Sequence, residues 1–349
     1  MKPPYSGTSK KINQREIAHE LGVSQSLVSK ILSGRKEASP ETTEKILKVA
    51  KRQGYRPNML VRGLQTGETK TVGVIIPANT FLSEVVHGIH DALDRAGYAM
   101  ILVWNTENIA EPDSKTELQY IHRLVDRRVD GVILRPTHDD ATDMYFSEIA
   151  ERGIPLVVVD RLLARTKYDF AGTDDIAGAE MAARHLLDLG HRRLGQLAGP
   201  SSVSTSRDRR IGFEKAIAEF GQGATCRTIE AVDFQNVEKD ITELLLSKPR
   251  PTAVFGANDH TAKEIYQVAA RLGLRIPQDL SVVGFADLNF AAWMFPPLTT
   301  VRQDPYGIGE AAANLVLARC RGKVNSAKQE TIRLTPELVI RESTAKHGV

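Results

Sequence analysis

The sequence predicts a small all-α domain followed by a larger α/β domain built of two lobes. In the first 57 residues, apolar side chains recur at three- and four-residue intervals, which is the spacing of amphipathic helices. From Thr71 onward, continuous β-branched runs alternate with helical segments, as in parallel strands covered by helices on both faces. We therefore divide the chain into a helical domain over residues 1–57, a linker over 58–68 and an α/β domain over 71–343.

The composition is that of an ordinary water-soluble protein, with 42% hydrophobic and 26% charged residues. No apolar run of about 18 residues predicts a membrane span, and residues 1–11 are basic and polar rather than a secretory signal. The two cysteines, Cys226 and Cys320, lie far apart without metal-ligand spacing, which favours a reducing cytoplasm. We expect no metal and no cofactor.

The charge is unevenly distributed along the chain. The net charge is +3, yet the first 70 residues hold 14 Lys and Arg against 6 Asp and Glu, and the rest hold 32 against 37. A basic segment of this kind either approaches phosphates or is a solvated arm. The pattern inside the segment favours the first interpretation.

Three helices are predicted in the N-terminal segment. Asn13 is placed to cap a first helix that Gly22 ends, and Ser24 to cap a second helix soon after. Ser39, followed by proline, opens a third helix that ends at Gly54. Two short helices joined by a glycine-containing turn form a helix-turn-helix. The apolar positions are Ile17, Ala18 and Leu21, then Leu27, Val28, Ile31 and Leu32, then Ile46, Val49 and Ala50.

The second helix of a helix-turn-helix enters the DNA major groove. Gln25 can pair with adenine, Lys30 with guanine acceptors, and Ser26 with either base. For each residue alone, a solvent-facing helix position is the alternative interpretation. The candidate DNA contacts in this domain are Ser24, Gln25, Ser26, Ser29, Lys30 and Tyr55.

Three runs in this segment resemble those of a known family. EIAHELGVS at residues 16–24, VSKILSG at 28–34 and GYRPN at 54–58 look like the signature of lactose-repressor-type (LacI/GalR) regulators. The resemblance extends over nearly the whole chain. It implies a transcriptional repressor that binds a pseudo-palindromic double-stranded DNA operator as a homodimer and is controlled by a small-molecule effector. The C-terminus lacks the apolar heptads of a tetramerising tail, so we expect a dimer.

The segment after Pro57 has room for one or two turns of helix beginning at Asn58, too short to be stable alone in water. By resemblance it is the hinge helix, with Leu64 wedged between base steps in the minor groove and Arg62 on a phosphate. Gly63 stands where the family usually has Ala or Ser, so this hinge depends more on DNA for its folding. A flexible linker is the alternative.

The α/β domain contains two successive α/β halves without a phosphate-binding fingerprint. This pattern indicates two lobes with a ligand between them, at the carboxyl ends of the strands. The arrangement is similar to periplasmic sugar-binding proteins, as the family resemblance also implies, with chain crossings near residues 171, 300 and 332. The first lobe then comprises about 71–171 and 303–331, and the second about 172–301 and 332–343. Strands are expected at 72–76, 100–103, 131–134, 156–159, 194–197, 253–255 and 281–285, and helices at about 82–96, 115–127, 140–152, 175–189, 206–220 and 260–272.

Polar residues near strand ends are the candidates for effector binding. By resemblance, Asp160, Arg207 and Asn258 match the acid, arginine and asparagine that hydrogen-bond effector hydroxyls or polar ring atoms. Phe234 and Trp293 are placed to supply an apolar face for a sugar ring. Ordinary packing is the alternative for both aromatic residues and for Asp160.

One departure from the family bears on the effector. Ala286 stands where the family usually has an effector-binding aspartate. Asp287 follows and is kept as a candidate, although its side chain points elsewhere unless the loop shifts, and Gln303 completes the set. We expect a sugar or sugar derivative with fewer hydroxyls or with an acidic group. A purine or nucleoside corepressor is the alternative.

Other functional classes fit less well. The sequence has no Walker loop, zinc-protease motif or serine-hydrolase elbow, so we do not expect an enzyme. A secreted binding protein would need a signal peptide, and an architectural DNA-binding protein would not need the α/β half. A ligand-binding protein without a DNA switch is a further, weaker alternative.

Overall fold

The chain divides into two units, residues 1–69, whose described part contains three helices, and residues 70–349, whose described part is α/β. The computed structural model describes residues 13–32, 38–55, 67–105, 114–136, 149–163, 168–231, 237–322 and 328–348. In the first unit these are α1 (Gln14–Leu21), α2 (Gln25–Leu32) and α3 (Pro40–Arg52). No helix in the described part of the chain is long and apolar enough to cross a membrane.

The ends of these helices are fixed by side chains that the sequence indicated. The Asn13 side chain accepts hydrogen bonds from Arg15 N and Glu16 N, and the Glu16 carboxylate accepts from Asn13 N, which completes a capping box. Gly22 follows α1 with φ at 64°, a left-handed conformation that glycine adopts without steric cost. Ser24 and Ser39 cap α2 and α3 through Leu27 N and Thr42 N. These predicted caps are confirmed.

A small apolar core joins the three helices. Ile17 from α1, Val28 from α2 and Ile46 from α3 have no solvent exposure. Each helix therefore presents one apolar face to the other two. The remaining buried members are Ala18, Ile31, Val49 and Ala50.

Ile46→Ala is expected to destabilise the first unit by about 2–5 kcal/mol, because it removes buried methylenes and leaves a cavity. Leu47→Ala is the matched control, since Leu47 lies one residue further on the same helix and is 49% exposed. Urea unfolding followed by circular dichroism measures both effects. Equal losses in the two variants would contradict the assigned core.

The second unit contains two six-stranded sheets. The first sheet has the order β11-β5-β4-β3-β1-β2 and the second the order β12-β10-β9-β8-β6-β7. The strands are β1 (Thr71–Pro77), β2 (Ala99–Asn105), β3 (Gly131–Leu134), β4 (Leu156–Val159), β5 (Asp169–Thr173), β6 (Arg193–Ala198), β7 (Thr225–Glu230), β8 (Ala253–Gly256), β9 (Ser281–Ala286), β10 (Thr299–Arg302), β11 (Thr331–Leu334) and β12 (Glu337–Val339). The described helices are α4 (Thr80–Arg95), α5 (Ser114–Asp126), α6 (Asp175–Asp188), α7 (Ser204–Phe220), α8 (Val237–Leu246), α9 (Asp259–Arg271) and α10 (Pro305–Cys320), with a 3₁₀ turn at Asn289–Trp293.

Among the described residues, every strand pair is parallel except β10 with β12, where Thr300 faces Val339. The chain passes between the sheets after β5, after β10 and after β11, so each lobe is completed by a later part of the sequence. The predicted fold class, a helical domain followed by a two-lobed α/β domain, is confirmed.

Several strands lie outside those expected from the sequence. The additional strands are β5, β7, β10, β11 and β12. Strands β7 and β12 form edges of the second sheet and β11 forms an edge of the first, and their residues are only partly buried. Edge strands lack the continuous apolar run that identified the central strands.

Two glycines bring α4 and α10 close together over the first sheet. A Cβ on Gly88 would overlap the carbonyl oxygen of Tyr306, and one on Gly309 would overlap that of Val85. Only glycine permits this approach. The same pair of helices is joined at its exposed side by Arg95 and Glu310.

The C-terminal segment is anchored to the second lobe around His191. The His191 ring is 3% exposed, with Nδ1 2.9 Å from Thr252 Oγ1 and Nε2 3.1 Å from the Ala345 carbonyl oxygen. Backbone bonds continue the attachment, from Val282 N to Ser343 O and from His347 N to Leu189 O. Burial lowers the pKa of His191 to about 4, because the charged imidazolium would lose its hydration.

The depressed pKa predicts a pH dependence of folding. The unfolded chain binds a proton on His191 near pH 6.5 and the folded chain only near pH 4. Stability is therefore present above pH 6.5 and falls by up to about 3 kcal/mol as the pH drops to about 4. His191→Gln should show a shallower loss in this window, measured by urea unfolding at a series of pH values.

His87→Gln is the control, because His87 is 61% exposed and should leave the pH dependence as in the unmodified chain. An unchanged slope in the His191 variant would contradict the assignment.

Candidate functional site

A cavity of about 220 Å³, lined by both polar and apolar side chains, lies between the two lobes of the second unit. Its walls are formed by residues that follow β1, β3 and β4 in the first lobe and β6, β8 and β9 in the second. Because these strands are parallel, their carboxyl ends converge at the cavity. The lining comprises Asn79, Thr80, Phe81, Arg135, Asp160, Arg161, Ala198, Gly199, Pro200, Val203, Thr205, Ser206, Arg209, Ala231, Val237, Ala257, Asn258, His260, Thr261, Ala286, Leu288 and Gln303.

The first turns of three helices contribute to this lining. Asn79 caps α4 by accepting from Leu82 N at 2.8 Å, and Asn258 caps α9 by accepting from Thr261 N at 2.9 Å. Helix α7 contributes Thr205 and Ser206. Helix N-termini carry partial positive charge and backbone N–H donors, so they favour oxygen-rich or anionic ligands.

Asp160 and Arg135 form an ion pair on the wall of the first lobe. Arg135 Nε donates to Asp160 Oδ2 at 3.0 Å, and the two side chains are 7% and 10% exposed. They directly follow the neighbouring strands β3 and β4. The predicted candidate Asp160 thus lines the cavity, with an arginine beside it that the sequence did not single out.

Arg209 occupies the opposite wall and is held from three sides. Its Nε donates to Asp175 Oδ1 at 2.7 Å, its Nη1 donates to Ala257 O at 2.8 Å, and its guanidinium lies 3.9 Å from the centre of the Phe285 ring. Burial raises the pKa of Asp175 to about 6, and the positive charge of Arg209 opposes that rise.

Two hydrogen bonds connect the lobes next to the cavity. Gln303 Nε2 donates to Thr173 Oγ1 at 2.7 Å. Thr173 ends β5 and Gln303 follows β10, the two strands after which the chain passes from one sheet to the other. Leu162 N, in the first lobe, donates to Ser204 Oγ, in the second, at 2.8 Å. The predicted candidates Asn258 and Gln303 both line the cavity, and Gln303 also contributes to the hinge between lobes.

Three further candidates lie outside the cavity lining. Arg207 is half-buried, with Nε 3.7 Å from Asp208 Oδ1. The Asp287 carboxylate accepts from Arg302 and Arg341 at 2.8 and 2.6 Å, and Trp293 is 82% exposed. The candidate Phe234 lies outside the described residues. Their roles in effector binding stay predictions.

The difference between Arg207 and Arg209 follows from the periodicity of α7. The buried face of this helix includes Gly212 and Phe213 and continues through Ala216. Arg209 precedes Gly212 and Phe213 by three and four residues, so it shares their face, whereas Arg207 does not. The spacing of Arg209 from Gly212 and Phe213 is therefore the signal in the sequence that identifies Arg209, rather than Arg207, as the arginine on the buried face of α7.

His260 and Asp259 lie at the start of α9 beside the cavity. The His260 ring is 5.1 Å from the Phe290 ring, and burial, followed by the charge of Lys263, lowers its pKa. Asp259 accepts from Thr300 Oγ1 at 2.5 Å, and burial raises its pKa to about 6. The lowered pKa favours the neutral form of His260, and the bond from Thr300 to Asp259 ties α9 to the neighbouring strand β10.

The first unit carries the second candidate site on α2. Ser24, Gln25 and Ser26 are exposed, whereas Ser29 and Lys30 are partly buried. The buried Val28 and Ile31 hold the opposite face of α2 against the other helices. The exposed side of α2 is therefore polar and accessible along its first turn.

Tyr55 follows α3 and packs against the core of the first unit. Its hydroxyl accepts from Gln14 Nε2 at 2.9 Å, which connects α1 to the end of α3. The candidates Asn58, Arg62 and Leu64 lie outside the described residues.

Comparison with known protein families gives a match for each of the two units. Residues 14–58 match the family of bacterial regulatory proteins called the lacI family, and residues 183–344 match the periplasmic binding protein-like domain. The chain is 30% identical to the HTH-type transcriptional repressor PurR of Photobacterium profundum, over 94% of this chain and 97% of that protein. It is 32% identical to the ribose operon repressor of Escherichia coli (strain K12), over 94% and 98%.

Solved structures share the same fold. A complex of the transcriptional regulator CelR with cellobiose is 27% identical, with a TM-score of 0.70 and coverage of 95% of this chain and 99% of that one. A LacI family transcriptional regulator from Enterococcus faecium with bound ribose is 27% identical, with a TM-score of 0.66 over 79% of this chain and 99% of that chain.

Arg209→Ala is expected to lower the free energy of unfolding by about 3–5 kcal/mol, because it leaves the buried Asp175 carboxylate without its partner. Arg210→Ala is the matched control, since Arg210 is 39% exposed and pairs with the similarly exposed Glu214. That variant should lose less than about 1 kcal/mol. Denaturant unfolding distinguishes the two, and similar values would exclude the buried pair as a determinant of stability.

Proposed function

Because this chain belongs to the lacI family of bacterial regulatory proteins, we propose that it is a transcriptional repressor whose operator affinity depends on a small molecule bound between its lobes. One observation carries this proposal. A single chain combines a helix-turn-helix whose second helix has a polar exposed face with a two-lobed domain whose cavity holds charged and hydrogen-bonding side chains. The first feature serves DNA recognition and the second serves ligand sensing. Neither feature alone would distinguish a repressor from an architectural DNA-binding protein or a transport protein.

The proposed DNA contacts of α2 are the exposed Gln25 and Ser26 and the partly buried Ser29 and Lys30. Gln25 and Lys30 offer donors and acceptors for adenine and guanine edges, and Ser26 and Ser29 offer hydroxyls for bases or phosphates. A homodimer would place two copies of α2 in successive major grooves of a pseudo-palindromic operator. Since operator DNA lies in the bacterial cytoplasm, that is the proposed location of this chain.

The linker after Pro57 carries the rest of the proposed DNA contacts. Asn58 opens a hinge helix, Arg62 contacts a phosphate, and Leu64 is inserted in the minor groove. This part of the proposal rests on the sequence alone. Closure of the lobes around the effector would change how the two hinges pair, and in this way change operator affinity.

The effector proposed for the cavity is a sugar or sugar derivative. Asp160, Arg209 and Asn258 converge from both lobes and provide hydrogen-bonding groups of both kinds, as a polyhydroxylated ligand requires. The ribose and cellobiose named in the related structures are molecules of this class.

A purine is the second candidate for the effector, and a relative of comparable similarity is the HTH-type transcriptional repressor PurR. Phe81 and Leu288, which also line the cavity, offer apolar surface to a flat ring.

Lys30→Ala is expected to weaken binding to a selected operator by about tenfold to a hundredfold, because a base contact contributes about 1–3 kcal/mol of discrimination. The operator is first selected from a random DNA pool with the full chain. Affinity is then measured by fluorescence anisotropy at about 0.15 M salt, together with a scrambled duplex.

Lys45→Ala is the control, since Lys45 lies on α3, is 64% exposed and pairs with Glu41. It should bind the operator nearly as well as the unmodified chain. Failure to select any specific sequence would contradict the repressor function itself, whereas equal losses in both variants would contradict only the assignment of α2.

A further inference from the structure

We propose that the ion pair between Asp208 and Arg333 is an electrostatic latch, which holds the two lobes of the second unit together before an effector binds. Asp208 lies on α7 in the second lobe and Arg333 on β11 in the first. The regulatory role of the latch rests on the proposed function, because the cavity that it keeps closed is the proposed effector site.

One side of α7 is directed toward the first lobe. Ser204 and Asp208 are four residues apart, so they lie on the same side of the helix. Ser204 is 1% exposed and its hydroxyl accepts from Leu162 N at 2.8 Å, while Asp208 Oδ2 lies 3.7 Å from Arg333 Nη2. Leu162 follows β4 and Arg333 lies on β11. The helix therefore contacts two separate elements of the first lobe.

Each member of the ion pair also has a contact within its own lobe. Arg333 Nη1 donates to Thr173 O at 3.4 Å, and its guanidinium lies 5.6 Å from the centre of the Phe170 ring. Asp208 Oδ1 lies 3.7 Å from Arg207 Nε on the same helix. Breaking an ion pair is most costly when a buried charge is left uncompensated. Here both charges keep a neighbour that moves with them, so the lobes can separate and rejoin at a modest cost.

The same helix carries part of the cavity wall. Thr205, Ser206 and Arg209 line the cavity, and Arg209 directly follows Asp208. Because α7 is one helix, a displacement of Arg209 also displaces Asp208. A ligand that contacts Arg209 and Asp160, on opposite walls, binds best when the lobes are together. The latch and the ligand therefore favour the same arrangement, and the latch raises the fraction of chains that are ready to bind.

The exposure of the pair predicts how it responds to salt. The Asp208 and Arg333 side chains are 12% and 30% exposed, so water and ions reach the pair only in part. Salt weakens ion pairs that solvent can reach. We therefore expect the lobes to open more readily at higher ionic strength, even without a ligand.

Hydrogen exchange of the Leu162 amide measures lobe opening on the full chain. This amide donates across the boundary between the lobes, so its exchange requires separation from Ser204. The Asp160 amide is the internal reference, because it donates to Ala171 O at 3.0 Å within the first lobe. Mass spectrometry with fragmentation to single residues gives both rates. Ser204→Ala provides the rate of a Leu162 amide that has lost its acceptor in the other lobe.

Asp208→Asn should raise the exchange rate of the Leu162 amide by about twofold to tenfold and leave that of Asp160 within about twofold. The double variant D208N/R333Q should exchange no faster than either single variant, because all three disrupt one interaction. Arg333→Lys keeps the positive charge and should retain most of the protection. If one single variant fails to fold, the other single variant and the double variant still decide the outcome.

Arg210→Gln is the matched control, since Arg210 also lies on α7 but pairs with Glu214 of the same helix. Its Leu162 amide should exchange as in the unmodified chain. Raising the salt from about 0.05 M to about 0.5 M should accelerate this exchange in the unmodified chain and in R210Q, but not in the double variant. Unchanged exchange in D208N, additive effects of the two single variants, or an equal rise in R210Q overturns the latch.

Operator selection distinguishes failure of the latch from failure of the proposed function, because the exchange measurement needs neither DNA nor a ligand. If the Leu162 amide responds as expected and the unmodified chain selects no operator, the repressor function fails and the ion pair still holds the lobes together. If the chain selects an operator and the Leu162 amide does not respond, the latch is overturned and the repressor function stands.

Discussion

Buried charge at the carboxyl ends of the parallel strands is the constraint on which the second unit depends. A cavity between two lobes needs polar groups to bind a polar ligand, but each buried ion must be compensated before any ligand arrives. Arg209 meets this requirement through Asp175 and the carbonyl of Ala257, and Arg135 meets it through Asp160. The same contacts join α6 to α7 and β3 to β4. The side chains that line the cavity therefore also hold these helices and strands together.

In the part of the chain that the structure describes, the contacts between the lobes beside the cavity include two hydrogen bonds and the ion pair of Arg333 with Asp208. Gln303 bonds Thr173 where the chain crosses between sheets, and Leu162 bonds Ser204 across the opening. Apolar clusters lie within each lobe, on both faces of its own sheet. Relative movement of the lobes therefore costs a few hydrogen bonds and leaves the cores intact, as a ligand-driven switch requires.

The first unit depends on different interactions. Its core is small, so the ends of its helices are fixed by capping side chains such as Asn13 and Ser39. Val28 and Ile31 hold α2 in place, which leaves the side chains of its first turn exposed to solvent. Packing and the proposed DNA contacts thus use opposite faces of one eight-residue helix.

The sequence by itself determined the two-part organisation, the three capped helices, the central strands and the position of Asp160, Asn258 and Gln303 near strand ends. These features could be predicted because each depends on residues close together in the sequence, namely the spacing of apolar residues and the capping residues within three positions of a helix.

The edge strand β7 was not recognisable, because a half-exposed strand has no continuous apolar run. Only the tertiary structure placed Arg135 beside Asp160 and Arg209 beside Asp175, pairs that are 25 and 34 residues apart. It also supplied the partners of Asp287, which accepts from Arg302 and Arg341, whereas the sequence had indicated only that this side chain points away from the cavity. The physical reason is that charge compensation acts between neighbours in space, whereas the periodicity of a sequence reports only which face of an element is buried.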